Sequence, residues 1–211
     1  MNMKLFILFI FVSLLGSCTP IPFYIKRHNQ IINREIKRFE KEEKLQAIGG
    51  GGSMTDAISE VSLTFVSYKK SDVNEARRLC VKCIQEINQA LNSDTELHIY
   101  LNPYPFPSDK TDISILFLNH NGAYIDYKCA YLGFGGVSLV TQIHGSLFYF
   151  SHNFRSHMLE PYYEEPYETA LAIVRGELPE TDEDLIRLAN KEKYGGTSLQ
   201  TDSQPELQEG P

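Results

Sequence analysis

Apolar and polar residues alternate or recur along this chain with two clear periods. Val61, Leu63 and Phe65 alternate with Ser62, Thr64 and Val66, the period-two pattern of a strand. Val73, Ala76, Cys80, Cys83, Ile84, Ile87 and Leu91 then fall on one helical face. Ser71 or Asp72 can cap that helix, with Glu75 completing a capping box. At roughly 1.5–3 kcal/mol per large buried side chain, the stripe contributes on the order of 10 kcal/mol gross. Leu97, Ile99 and Leu101 alternate with His98 and Tyr100 and predict a strand, broken by the proline-rich run from Asn102 to Pro107. Ile113 to Leu118 is nearly all apolar and predicts a strand covered on both faces. Asn119-His120-Asn121-Gly122 is a turn signal. Ile125, Tyr127, Cys129 and Tyr131 make one face of a further strand. After Gly133-Phe134-Gly135-Gly136, a long strand is expected from Val137 to Phe150. Tyr163 to Val174 predicts a helix ending near Gly176, and a short helix from Thr181 or Asp182 carries Leu185, Ile186 and Leu188. Short loops between strands predict antiparallel pairing. The expected fold is α+β: an antiparallel sheet of about five strands with helices on one face, preceded by a long N-terminal helix.

That preceding helix is read over Ile21 to Ile48, with Ile25, Ile32, Ile36 and Phe39 as an imperfect stripe among charged residues. It is either a membrane-proximal stalk or a solvated helix packed on the domain. Gly49-Gly50-Gly51-Gly52-Ser53 should end it, because four glycines cannot continue a helix without a large entropic cost. The run is read as a native hinge, although it also looks like an engineered linker. A phosphate-cradling role needs a strand before the glycines and a helix after them, and here the order is reversed. The expected organisation is a signal peptide over 1–17, an anchored helix and hinge over 18–53, the domain over 54–176, a short helix over 177–194 and a disordered tail over 195–211.

The first residues carry an address. Lys4 precedes an almost unbroken apolar run from Leu5 to Leu15, and Leu15-Gly16-Ser17-Cys18 closes it. A basic start, a short apolar stretch and small residues at the end make a secretory signal. A bilayer span would need roughly 20 apolar residues. The closing four residues resemble the lipobox of bacterial lipoproteins. The resemblance implies cleavage before Cys18, acylation of that cysteine and anchoring in the cell envelope. Thr19 after the cysteine, where aspartate would signal retention, implies the periplasmic side of the outer membrane over the inner one. A second pattern, Gly50-Gly51-Gly52 with Met54, Glu75-Ala76-Arg77 and Tyr104-Pro105-Phe106, looks like one in uncharacterised exported bacterial proteins and implies no functional residues.

Charge agrees with this address. The chain of 211 residues has a formal net charge of -7 at pH 7, which argues against a general nucleic-acid binder. Basic residues are in excess between Phe23 and Ile48, beside the expected anchor, and acids dominate from Glu160 onward. That order suits a membrane with anionic headgroups. With Cys18 assigned to lipid, Cys80, Cys83 and Cys129 remain, and an odd count gives no complete disulfide framework.

Candidate chemistry is sparse. Cys80 and Cys83 have the C-x-x-C spacing, but they sit mid-helix on the apolar stripe, where buried inert thiols are the reading. A metal site would have to combine Cys129 with His98 or His144, and neither a metal nor a cofactor is expected. His144 or His152 with Ser146 or a carboxylate would be the elements of a hydrolase, yet no nucleophile elbow surrounds the serine. Tyr104 and Phe106 in the proline-rich loop, with Tyr162, Tyr163 and Tyr167 in an acidic segment, are candidate partner contacts, or else aromatic packing. The expected function is a non-catalytic binding or scaffold module tethered to the envelope, with the bilayer and an envelope protein as partners. The alternative is an envelope hydrolase.

Overall fold

The computed structural model describes residues 21–124, 136–153, 156–182 and 185–186. Helix α1 (Phe23–Glu42) buries Tyr24, His28, Ile31, Ile32, Glu35 and Phe39. This face is turned from the expected stripe, leaving Ile25 and Ile36 at its rim. Glu35 tolerates burial because Arg34 and Arg38 reach its two oxygens at 3.0 and 2.7 Å. Tyr24, Ile31, Ile32 and Phe39 belong to the main core, so α1 is part of the folded unit.

The helix ends six residues earlier than expected. Lys44 turns the chain with φ 61°, and strand β1 (Leu45–Ser53) follows at once. The glycines are therefore not a hinge: they pair antiparallel with strand β2 (Glu60–Ser67), Gly49 opposite Thr64 and Gly52 opposite Val61. Glycine is required where the two strands crowd. A Cβ on Gly52 would lie 2.1 Å from the Glu60 carbonyl oxygen, and one on Gly50 would lie 2.8 Å from Leu63 Cδ2.

From β2 the chain crosses over through α2 (Val73–Asn92), capped by Asp72, whose carboxylate accepts the Glu75 N–H at 2.7 Å. It returns as strand β3 (Thr111–Phe117), parallel to β2. The sheet is thus mixed, not antiparallel. A helix-containing connection allows two successive strands to run the same way, whereas a short loop cannot. Strands β4 (Leu139–Ile143), β5 (Ser146–Asn153) and β6 (Met158–Pro166) add antiparallel, giving one sheet in the order β1-β2-β3-β4-β5-β6. Helix α3 (Tyr167–Val174) closes the described elements. Gly176, with φ 73°, ends it in a Schellman arrangement: Gly176 N–H donates to Ile173 C=O and Glu177 N–H to Ala172 C=O, both at 2.9 Å.

Four other expectations change. Leu97 to Leu101 is no strand: His98–Tyr100 forms a 3-10 turn that buries Leu97 and Leu101, four apart, and leaves Ile99 83% exposed. β3 buries alternate residues (Ile113, Ile115, Phe117), while Asp112, Ser114 and Leu116 between them are half-buried, so its two faces are unequally covered among the described residues. Val137 to Phe150 is two strands, because His144 (φ 50°) and Gly145 (φ 83°) make a hairpin turn with both central residues left-handed. Residues 163–166 belong to β6, and the helix starts only at Tyr167. The expected strand over 125–131, Leu188, the tail and the signal segment with Cys18 lie outside the described residues.

One sheet face carries the core. Phe39 of α1 meets Phe65 of β2 edge-on at 5.8 Å, and Arg77 of α2 shares the Glu165 carboxylate with Tyr149 of β5. Phe65, Ile115, Val140 and Tyr149 are register neighbours on that face.

Candidate functional site

The two edges of the sheet are built differently. β6 carries Glu160, Glu164 and Glu165 with Pro161 and Pro166, and prolines and charges blunt an edge against further pairing. β1 reads Leu-Gln-Ala-Ile-Gly-Gly-Gly-Gly-Ser, with neither a charge nor a proline, and its residues from Ile48 to Ser53 are exposed. Its one protective feature is a bulge at Ile48; from Gly49 to Ser53 the ladder is regular. Among the described residues, β1 has a neighbouring strand on one side only. Its outward amides and carbonyls form a row of main-chain donors and acceptors that an extended peptide could pair with.

At the Ser53 end of β1 lies an open cleft of about 660 Å3, lined by Gly52, Ser53, Met54, Thr55, Glu60 and Ser62. Its wall is pinned. The Tyr24 hydroxyl donates to the carbonyls of Met54 (3.2 Å) and Thr55 (2.8 Å), and Ser59 N–H donates to Ser53 C=O at 2.9 Å. Ile58 N–H donates to Tyr100 C=O at 2.6 Å, tying the connection from β1 to β2 onto the 3-10 turn.

Ser62 is opposite Asp112 on β3, and Glu60 lies two residues before Ser62 on the same face. Burial, then a side-chain hydrogen bond and the charge of Glu60, hold the Asp112 carboxyl above its ordinary range; His144 pulls it the other way. His144 therefore sits near a carboxyl pair. Ser146, which pairs with Ile143, makes no hydrogen bond to His144 among the described residues.

The aromatic candidates divide. Tyr104 is 49% exposed, its ring centroid 4.4 Å from that of His98. Phe106 is buried, with its N–H donating to Asn92 Oδ1 at 2.6 Å and its carbonyl accepting from Asn92 Nδ2 at 2.9 Å. It anchors the loop and presents no surface. Tyr162 and Tyr163 are half-buried, Tyr163 against Tyr149 at 5.6 Å, and Tyr167 is a core residue. Burial therefore removes Phe106 and Tyr167 from the contact set, and the remaining three do not form one exposed patch. His152 stacks on Tyr124 at 4.8 Å, with His157 at 6.4 Å.

Cys80 and Cys83 are free and fully buried. Burial pushes both thiols far up, with the Glu165 charge adding at Cys80. Cys129 lies outside the described residues, and among the described ones no three ligating side chains converge as a metal site would need.

The most heavily buried polar cluster is one that the sequence did not announce. Arg77 and Glu165 form an ion pair at 2.7 Å, both almost without solvent contact. Tyr149 OH donates to Glu165, and Arg77 also donates to Asn74 Oδ1 and Thr181 Oγ1, each at 2.5 Å. Every charge is matched, so this is an internal tie between α2, β6 and residues 180–182. The helical spacing of Arg77 among Val73, Ala76 and Cys80 was the available signal; nothing pointed to Glu165.

The fold and its edge define an α+β protein with a mixed sheet and an open strand. Set against known proteins, the chain matches no family model, no curated protein and no solved structure.

Proposed function

We propose that this is a lipid-anchored binding module of the bacterial cell envelope, acylated at Cys18, exported and facing the periplasm from the outer membrane. Its β1 edge takes up an extended segment of an envelope protein. The observation that carries the reading is the contrast between the two sheet edges: one blunted by prolines and glutamates, the other uncharged, proline-free and exposed. Further support comes from α1. Arg27 pairs with Asp94, and Arg38 with Glu35 and Glu86. Lys26, Lys37 and Lys41 stay exposed, without an acidic partner among the described residues, on the helix next to the expected anchor. Such lysines favour an anionic bilayer surface.

Two measurements test it. A clickable fatty acid should label the protein, and Cys18→Ala should abolish the label and release the product from membranes. A photo-crosslinking residue at Gly51, where an added Cβ would meet nothing within 4 Å, should trap an envelope protein that the same residue at Glu164 does not. Equal trapping at both positions contradicts the edge reading.

A second reading, an envelope hydrolase, rests on Asp112. Its carboxyl is raised by burial and Glu60 and lies near His144, as a proton donor or acceptor would. Hydrolysis of ester or glycoside substrates that falls at least a hundredfold in Asp112→Asn would favour it.

A further inference from the structure

We infer that the β1 edge is specific for an extended peptide carrying a lysine or arginine, whose cationic head lies in the cleft against Glu60. This rests on the reading of β1 as a strand acceptor and adds the chemistry of its occupant.

The register fixes which side chains meet. Gly51 is opposite Ser62 and Ser53 opposite Glu60, so all four lie on one face of the sheet. A residue of an added strand opposite Gly51 sends its side chain onto that same face. It starts about two strand spacings, roughly 9–10 Å, from β2. In an ordinary sheet the side chain of the intervening strand would fill that space. Here the intervening residue is glycine, with nothing within 4 Å of where its Cβ would be. A long unbranched stem can therefore cross above β1 and reach the cleft floor.

The cleft selects the head group. It is lined by Glu60, two hydroxyl-bearing side chains beside the Gly52–Thr55 backbone, Ser62 and Met54, with no lysine or arginine. Asp112, opposite Ser62, is hydrogen-bonded to Glu60, and Asp56 is exposed on the adjoining connection. A cation is the complementary charge, and a carboxylate would be repelled. The glycines also argue against a second copy as occupant. Two glycine runs laid side by side would share main-chain bonds but no cross-strand side-chain pairs, which supply much of the stabilisation of a ladder.

The test uses the full chain in detergent and three fluorescent nine-residue peptides. One alternates threonine and valine around a central lysine, one has methionine in its place, and one has prolines at alternate positions. Fluorescence anisotropy and amide hydrogen exchange are read together. The lysine peptide should slow exchange at Gln46 to Ser53 and bind about fivefold more tightly than the methionine peptide, the upper range of a solvent-exposed ion pair. Glu60→Gln should bring the lysine and methionine peptides to equal affinity, and the proline peptide should not bind. Equal affinity for lysine and methionine peptides overturns the specificity but leaves strand acceptance standing. Failure of both to protect β1 overturns both. A chain of doubled mass whose β1 amides are already protected assigns the edge to a second copy and overturns the basic peptide.

Discussion

Replacing Arg77 by methionine should destabilise the folded unit as much as emptying a core position. The guanidinium is fully buried and donates to Glu165 through Nε at 2.7 Å and Nη2 at 3.2 Å. Methionine fills much of the same volume, so little of the loss is packing. What remains is the Glu165 carboxylate, 3% exposed, with only Tyr149 OH donating to it among the described residues. Removing one partner of a buried pair costs about 3–5 kcal/mol, because the other charge is left uncompensated. For a domain of this size that is roughly a 10–15 °C fall in Tm. Urea denaturation of both proteins at neutral pH checks this. The double replacement Arg77→Met with Glu165→Leu should recover much of the loss, since no charge then remains buried. A loss below about 1 kcal/mol in the single variant, or no recovery in the double one, would refute the reasoning.

The glycine positions in β1 separate by a single residue. Gly52→Ala should cost at least about 2 kcal/mol in urea denaturation, since its Cβ meets the Glu60 carbonyl oxygen at 2.1 Å, whereas Gly51→Ala should change stability by less than about 0.5 kcal/mol. Asp112→Asn should stabilise the fold at neutral pH. The Asp112 carboxyl is raised by burial and by Glu60, so the parent loses stability as pH climbs from the unfolded to the folded pKa, and the asparagine form does not. Thermal unfolding that shows the same difference at pH 3 and pH 7 would contradict this. Cys80 and Cys83 should resist alkylation without denaturant and react once the chain is unfolded, as intact mass reports; both are buried and their thiols held far up.

What the sequence disclosed follows the range of the interactions involved. The cap at Asp72 and the buried stripe of α2 are set by residues three or four apart, and both stand as read. The turn at Asn119 to Gly122 is equally local: Asn119 Oδ1 accepts the Asn121 and Ala123 N–H groups at 2.9 and 3.1 Å. Readings failed where a distant partner decides. Leu97 and Leu101 satisfy both a period of two and a spacing of four, and the choice falls to Tyr100, which stacks on Tyr24 at 4.8 Å. Prolines and glutamates in β6 read as loop and helix start, although an edge strand accommodates both. Arg77 and Glu165 are 88 residues apart, and no local pattern connects them.

The glycine run shows why the candidate site was hidden. Taken alone, four glycines have every local property of a linker, since they offer no side chain to bury and much freedom to lose. They become a strand because β2 supplies the partner ladder and the space: Leu63 Cδ2 occupies the place of one missing side chain, and the Glu60 backbone that of another. The same missing side chains leave the exposed edge without charge or proline to deter a further strand. The feature that made the segment illegible as structure is thus what makes it usable as a surface. A chain with valines at those positions would have been predicted correctly as a strand, but it would clash at Gly52 and close the path across Gly51 to Glu60.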